Sequence, residues 1–258
     1  MALDLTQLKG LFFDIYATLI DWEAGIYPHL YRLSQRAPQS QRLSDSPETR
    51  TKLLGLYEHY CKKIWKDHPA MLFPEVLQKV YAHIASDLGV ELDSEAQAAF
   101  GRSIGEWPAF PDTIDAMKVL AKYYKLFVLS NVDNASFDRT RTGPLGGGRW
   151  DGIYTAEMIG SYKPDPRNYQ YVAKRMEEDF SIKKDELIIV AQSLDIDHIT
   201  TTKLGFKPGV WIARSQNSTM GGKREELESQ GLLKLGAVYE TLGEFAAAVE
   251  KAFADKKN

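Results

Sequence analysis

Asp14 is a carboxylate at the end of the short apolar run Leu11-Phe12-Phe13, with the hydroxyl of Thr18 four residues on. The run reads as a buried strand, and ligands of open α/β sheets sit at the carboxyl ends of strands, so both side chains are placed to face a substrate. Three further groups obey the same rule. Ser130 and Asn131 close the run Leu126-Phe127-Val128-Leu129. Lys163 stands in the loop Gly160 to Pro166, after a third run at Ile153-Tyr154-Thr155. Ser193 and Asp197 follow Leu187-Ile188-Ile189-Val190. One loop aspartate is commonly a turn or cap residue. A carboxylate, a hydroxyl–amide pair, a lysine and a second carboxylate, each just past a buried strand, are harder to explain as solvated surface. The set suits covalent catalysis. Asp14 would attack and form an ester, and Lys163 would keep it ionised. Thr18, Ser130 and Asn131 would donate hydrogen bonds to an anionic group, while Asp197 would orient or deprotonate the hydrolytic water.

The elements that must position these groups alternate. A helix over Thr113–Tyr123 precedes the second strand, Pro166 suits the start of the next helix, and Val210-Trp211-Ile212 reads as a fifth strand. Strands alternating with helices predict a doubly wound parallel sheet. Between Trp22 and Trp107 the pattern changes: Leu30, Leu33, Leu53, Tyr57, Tyr60, Ile64, Val76, Leu77, Val80 and Ile84 recur mostly at three- and four-residue steps. That spacing predicts an insert of some four helices, broken at Pro38–Pro47, His68-Pro69 and Gly89, with Asp93 opening the last. The expected division is core at 1–20, helical cap at 21–110 and core at 111–258. Ser215–Gly236 reads as loop-rich with a short helix at Lys223–Gln230, and Glu244–Phe253 as the final helix. Neither Leu145-Gly146-Gly147-Gly148 nor Gly221-Gly222-Lys223 has the spacing of a phosphate-binding loop.

The bulk composition excludes several classes. The chain has 258 residues, 44% hydrophobic and 26% charged, with a formal charge of −3, so it carries no basic footprint for nucleic acid. Cys61 is the single cysteine, which rules out a disulfide framework. No apolar run approaches a membrane span, and the glycosylation pattern at Asn134 and Asn217 reads as chance in a chain expected to be cytoplasmic. The partner expected is a small-molecule organic acid. Neither nucleic acid nor a membrane is expected, and a homodimer is left open.

These segments resemble the haloacid dehalogenase superfamily, and within it the type II L-2-haloacid dehalogenase-like branch, over nearly the whole chain. Phe13 to Leu19 is similar to the nucleophile motif, Leu129-Ser130-Asn131 to the second motif, Ser161 to Tyr169 to the lysine motif and Val190 to Asp197 to the acidic motif. The resemblance implies a Rossmann-like core with an all-helical cap after the first strand. It implies an aspartyl ester on Asp14, hydrolysis of small 2-haloalkanoic acids to 2-hydroxy acids, and no cofactor. It adds Tyr16, Tyr169 and Ser193 to the site, and Arg50, with Arg32 and Arg36 as rivals, as the cap arginine that receives halide. Phosphatases of the superfamily carry an aspartate where Tyr16 stands and another, which helps hold Mg²⁺, where Gln192 stands. Mg²⁺ therefore belongs only to the alternative reading, a divergent phosphatase; an enzyme or binding protein for a larger metabolite is a further alternative. The segment from Gln192 to Asp197 is one residue longer than in the dehalogenases, and Ala17 replaces a usual glycine.

Other residues read as structural. His198 is expected to support the site or lie at the surface, and Asp21 and Asp195 to cap or turn. Trp22, Trp65 and Trp107 are read as packing and Cys61 as inert. His59 and Tyr57 are the cap residues expected to reach toward the substrate.

Overall fold

Leu11, Phe12 and Phe13 lie in β1 (Gly10–Phe13), where successive side chains point to opposite faces. Leu11 and Phe13 join one buried cluster and Phe12 another, so both faces of the sheet are covered and the strand needs no polar residue. The computed structural model describes residues 3–215 and 224–256. Gly221-Gly222-Lys223 and the Asn217 glycosylation pattern lie outside them, as does most of the first half of the stretch read as loop-rich.

The sheet contains β1, β2 (Lys125–Ser130), β3 (Gly152–Thr155), β4 (Leu187–Ala191), β5 (Gly209–Ile212) and β6 (Leu235–Tyr239). Its order is β3-β2-β1-β4-β5-β6 and every neighbouring pair is parallel. The five expected strands are present. The sixth was not expected: β6 is an edge strand, half-buried along its length, and only its first two residues fall in the stretch read as loop-rich. Strand order turns about β1, whose neighbours are β2 and β4, and this places the carboxyl end of β1 at the crevice where such sheets take ligands.

Helices cover both faces. α1 (Trp22–Ser34), α2 (Pro47–Asp67), α3 (Phe73–Asp87) and α4 (Ser94–Arg102) all fall between β1 and β2 and form the helical cap. Their starts follow from local chemistry. Asp21, Ser46 and Asp93 each accept a backbone N–H of the first turn, and Pro47 opens α2 where a missing donor costs nothing. Asp21 is therefore a helix cap, as expected. α5 (Thr113–Leu120) ends three residues before the expected Tyr123, because Ala121 to Tyr124 tighten into turns. α6 (Asn134–Thr142), α7 (Ala156–Ile159), α8 (Pro166–Phe180), α9 (Ile199–Lys203), α10 (Arg224–Ser229) and α11 (Leu242–Asp255) complete the layers.

α8 sets Tyr169, Val172 and Met176 into the cluster around Phe12. α11 sets Phe245 and Val249 into the larger cluster around Leu11 and Phe13, which continues without a break into the cap through Leu30, Leu53 and Val76. The chain enters and leaves the cap side by side: Asp21 N–H donates to Pro108 O at 2.8 Å and Phe110 N–H to Leu19 O at 3.0 Å. No helix among the described residues is long and apolar enough to cross a membrane.

Candidate active site

The loop after β1 turns sharply. Ala17 adopts a left-handed backbone, φ 81°, and this returns the chain so that Thr18 faces Asp14. The Thr18 hydroxyl donates to Asp14 Oδ2 at 2.7 Å and accepts Gln192 N–H at 2.9 Å, which locks the loops after β1 and β4 together. The carbonyl of Thr18 accepts two N–H groups of Arg214, at 3.2 and 2.9 Å. Arg214 is buried, pairs with Asp112 at 2.7 Å and lies over the Phe110 ring. Sequence reasoning missed it, although it stands two residues past β5 by the rule that found the other site groups.

Lys163 Nζ lies 2.8 Å from Asp14 Oδ1 and 2.9 Å from Asp197 Oδ1, with the three side chains 2%, 11% and 1% exposed. Burial alone would lower the lysine's pKa, but the two carboxylates outweigh it and raise it. Asp197 is pushed up to about 6, chiefly by burial, with the Asp14 charge adding and the ammonium opposing. Its Oδ2 is buried and has no hydrogen-bond partner among the described residues.

A single turn delivers Asp197. Leu194–His198 forms a π-helical turn in which His198 N–H reaches back to Ser193 O. The segment read as one residue longer than the resemblance implies is taken up as a π turn, a form common at functional sites. Ser193 Oγ accepts Ile196 N–H at 3.1 Å and starts this turn. The Tyr169 hydroxyl donates to Ile196 O at 2.7 Å and lies 3.2 Å from Asp197 Oδ1. Asn131 is bound at two points to Lys163, its amide donating to the lysine carbonyl at 3.0 Å and its oxygen accepting the lysine N–H at 2.6 Å. Ser130 Oγ is buried beside them with no partner among the described residues. An unmet buried hydroxyl costs about 1–3 kcal/mol, which a ligand oxygen would relieve.

A cavity of about 100 Å³ has Asp14, Ser130, Asn131, Lys163, Ser193 and Asp197 on the core side. Rings make the opposite wall: Trp22, Tyr57, Trp65, Phe73 and Trp107, with Tyr16 from the loop after β1. Trp22 stacks on Tyr57 with ring centres 5.2 Å apart, and Tyr16 meets Trp107 edge-on at 5.5 Å. The Tyr16 hydroxyl is 2.9 Å from Thr140 Oγ1, and burial raises its pKa far above the usual phenol value.

Several expectations change here. Trp22, Trp65 and Trp107 do more than pack, because all three line the cavity. Helical spacing marks a buried face without telling whether it meets protein or ligand. Arg50 shares a helical face with Tyr57 but stands two turns earlier, about 10 Å along the axis. There it pairs with Glu23 at 3.3 Å and lies over the Tyr27 ring, outside the lining. Arg32 and Arg36 are not in the lining either, and Arg36 pairs with Asp93. Thr18 and Tyr169 also lie outside the lining, holding Asp14 and Asp197 from behind. Tyr57 lines the cavity as expected, whereas His59, two residues on, is exposed on another side of α2. Cys61 lines it with a thiol pushed up to about 12 by burial. His198 is buried, neutral down to about 4 because burial disfavours its cation, with Nε2 3.0 Å from Ala191 O.

The donor set does not suit Mg²⁺, which takes carboxylates, waters and near-octahedral geometry. Asp14 and Asp197 already share the Lys163 ammonium, and Tyr16 and Gln192 bring no carboxylate. Among the described residues no three His, Cys, Asp or Glu are grouped to hold a metal ion.

A family model for haloacid dehalogenase-like hydrolases matches residues 8–190. An (S)-2-haloacid dehalogenase of Pseudomonas putida is 23% identical over 221 residues, covering 83% of this chain and 88% of that protein. An L-2-haloacid dehalogenase from Xanthobacter autotrophicus, solved with chloropropionic acid covalently bound, aligns with TM-score 0.71 at 17% identity over 94% of this chain and 98% of that one. YfnB from Bacillus subtilis, solved bound to magnesium, aligns with TM-score 0.70 at 17% identity over 94% and 99%.

Proposed function

The chain belongs to the haloacid dehalogenase-like hydrolases, and from that premise we propose that it releases halide from 2-halo acids through an ester on Asp14, without a metal. The observation that carries this reading is the buried ammonium of Lys163 held between Asp14 and Asp197 beside a ring-walled cavity. An Asp14 oxygen attacks the halogen-bearing carbon from the side opposite the halogen. The carbon–oxygen bond forms as the carbon–halogen bond breaks, and the halide leaves with the electron pair. Asp197 then takes a proton from water as the water oxygen attacks the carboxyl carbon of Asp14; the bond from that carbon to the substrate oxygen breaks, the leaving alkoxide takes the proton back from Asp197, and the 2-hydroxy acid departs as the Asp14 carboxylate is restored.

The remaining groups have supporting roles. Thr18 orients the nucleophile, Tyr169 orients Asp197, and the Ser130 hydroxyl and Asn131 amide are placed beside the substrate's anionic group. Residues 21–110 act as the cap, whose rings keep bulk water from the ester. Halide needs no proton to leave, which fits Tyr16, rather than a carboxylic acid, two residues after the nucleophile. With no arginine in the described lining, the departing halide is stabilised by the positive ring edges of the wall.

The test is halide release from (S)-2-chloro- and (S)-2-bromopropanoate in excess chelator. Activity is expected to survive the chelator and to fall by at least about 10⁴-fold in Asp14→Asn, the order of loss when a nucleophile is removed. Full activity in that variant would overturn the reading.

A further inference from the structure

Arg214, just past the end of β5, has a left-handed backbone, φ 53°, a conformation that crowds any β-carbon. Such a backbone persists only where its surroundings over-determine it. Here the side chain supplies the constraint. Arg214 is 4% exposed, and its guanidinium donates from Nε and Nη2 to the Thr18 carbonyl at 3.2 and 2.9 Å and from Nη1 to Asp112 Oδ1 at 2.7 Å. It also lies 4.1 Å from the centre of the Phe110 ring. Phe110 to Thr113 is where the chain leaves the cap: the Phe110 N–H and the Thr113 hydroxyl both donate to Leu19 O, at 3.0 and 2.9 Å. Asp112 is held through its other oxygen by Gly243 N–H of α11 at 2.9 Å. One cation therefore ties the loop after β1 to the cap exit, to β5 and to α11. A buried ion pair is a poor source of stability, because apolar groups of similar volume serve as well or better. What the rigid fork of a guanidinium supplies is position.

We propose that Arg214 is a positioning residue for the nucleophile: by clamping the Thr18 carbonyl to Asp112 it keeps the Thr18 hydroxyl on Asp14 and so fixes the direction from which the carboxylate attacks. The two oxygens of Asp14 are held separately, Oδ2 by the Thr18 hydroxyl at 2.7 Å and Oδ1 by Lys163 at 2.8 Å. If the Thr18 backbone shifts, Oδ1 stays on the ammonium while Oδ2 loses its donor, and the carboxylate turns away from its line of attack. A misplacement of about 1 Å is enough to cost about 100-fold in rate. Arg214 does not line the cavity, so the substrate's own contacts are untouched. The inference rests on the proposed reaction for its rate readout, and on the hydrogen bonds alone for its geometry.

The test is Arg214→Lys, which keeps the charge and loses the fork. With (S)-2-bromopropanoate, kcat for halide release is expected to fall at least about tenfold while KM stays within about twofold, because aim is lost and binding is not. A kcat within about twofold of the unaltered protein's, or a change confined to KM or to thermal stability, would overturn the inference and leave the halide reading standing. Should the lysine variant not fold, Asp112→Asn takes its place, since it removes the charge that anchors the guanidinium, and the same split is expected. If the unaltered protein releases no halide, residue-resolved hydrogen exchange decides instead. The Gln192 amide, which donates to the Thr18 hydroxyl, is expected to exchange at least about tenfold faster in Arg214→Lys, while the Asp14 amide, bonded to Val190 O, keeps its rate. An unchanged Gln192 rate overturns the inference.

Discussion

At the scale of the residue, the account turns on three groups, with Lys163 within hydrogen-bond distance of both Asp14 and Asp197. Asp197 can take a proton from water only when ionised. Because burial raises it to about 6, the ionised fraction, and with it the rate of ester hydrolysis and kcat, is expected to fall about tenfold per pH unit below that value and to level off above it. The value belongs to the cluster, since Asp14 and Lys163 both act on it. A pH profile measured with a reactive 2-bromo acid checks this, and a rate independent of pH between 4 and 7 would contradict it. Asp14 and Asp197 were legible in the sequence because each is a polar side chain soon after an apolar strand, and Lys163 because it stands in the loop that follows β3 and α7. Arg50 was not, because helical periodicity gives a face but no position along the axis. That the tryptophans, read as packing, also line the cavity was not legible for a related reason: packing against protein and facing a cavity leave the same spacing.

At the scale of the element, helix α1 reaches the cavity wall through a glycine. A β-carbon built on Gly25 would lie 2.3 Å from the Trp107 ring, so only glycine lets that ring sit against α1 and Tyr16. Gly25→Ala is expected to lower stability by about 1–3 kcal/mol through overpacking and to displace the wall at Trp107. Urea unfolding reads the first effect and a changed KM the second; wild-type values of both would show that the wall tolerates the methyl group. Caps at Asp21, Ser46 and Asp93 made the helix starts readable. Strand β6 was missed although Leu235 to Tyr239 is apolar, because a short run with a glycine inside it, half-buried at a sheet edge, shows no alternation to mark it as strand. The π turn was visible only as one surplus residue between Gln192 and Asp197; that it would bring Asp197 to the lysine depended on tertiary structure.

At the scale of the whole molecule, the doubly wound core and the inserted helices were readable because their hydrophobic periods differ, and the switch falls just after β1. What the sequence could not show is how the two parts meet. One buried cluster runs from the face of the sheet through the cap, and the cavity opens where it stops short of Asp14. That meeting leaves a ring-walled cavity over Asp14, where the proposed ester would form and Asp197 would activate one water molecule. The most direct test of this central claim is hydrolysis of a 2-bromo acid in ¹⁸O-labelled water with enzyme in excess, followed by mass analysis of the product and of the peptide containing Asp14. The account predicts an unlabelled hydroxyl in the first-turnover product and label incorporated at Asp14. Label in that product with none at Asp14 would show that water attacks the substrate directly, and would contradict it.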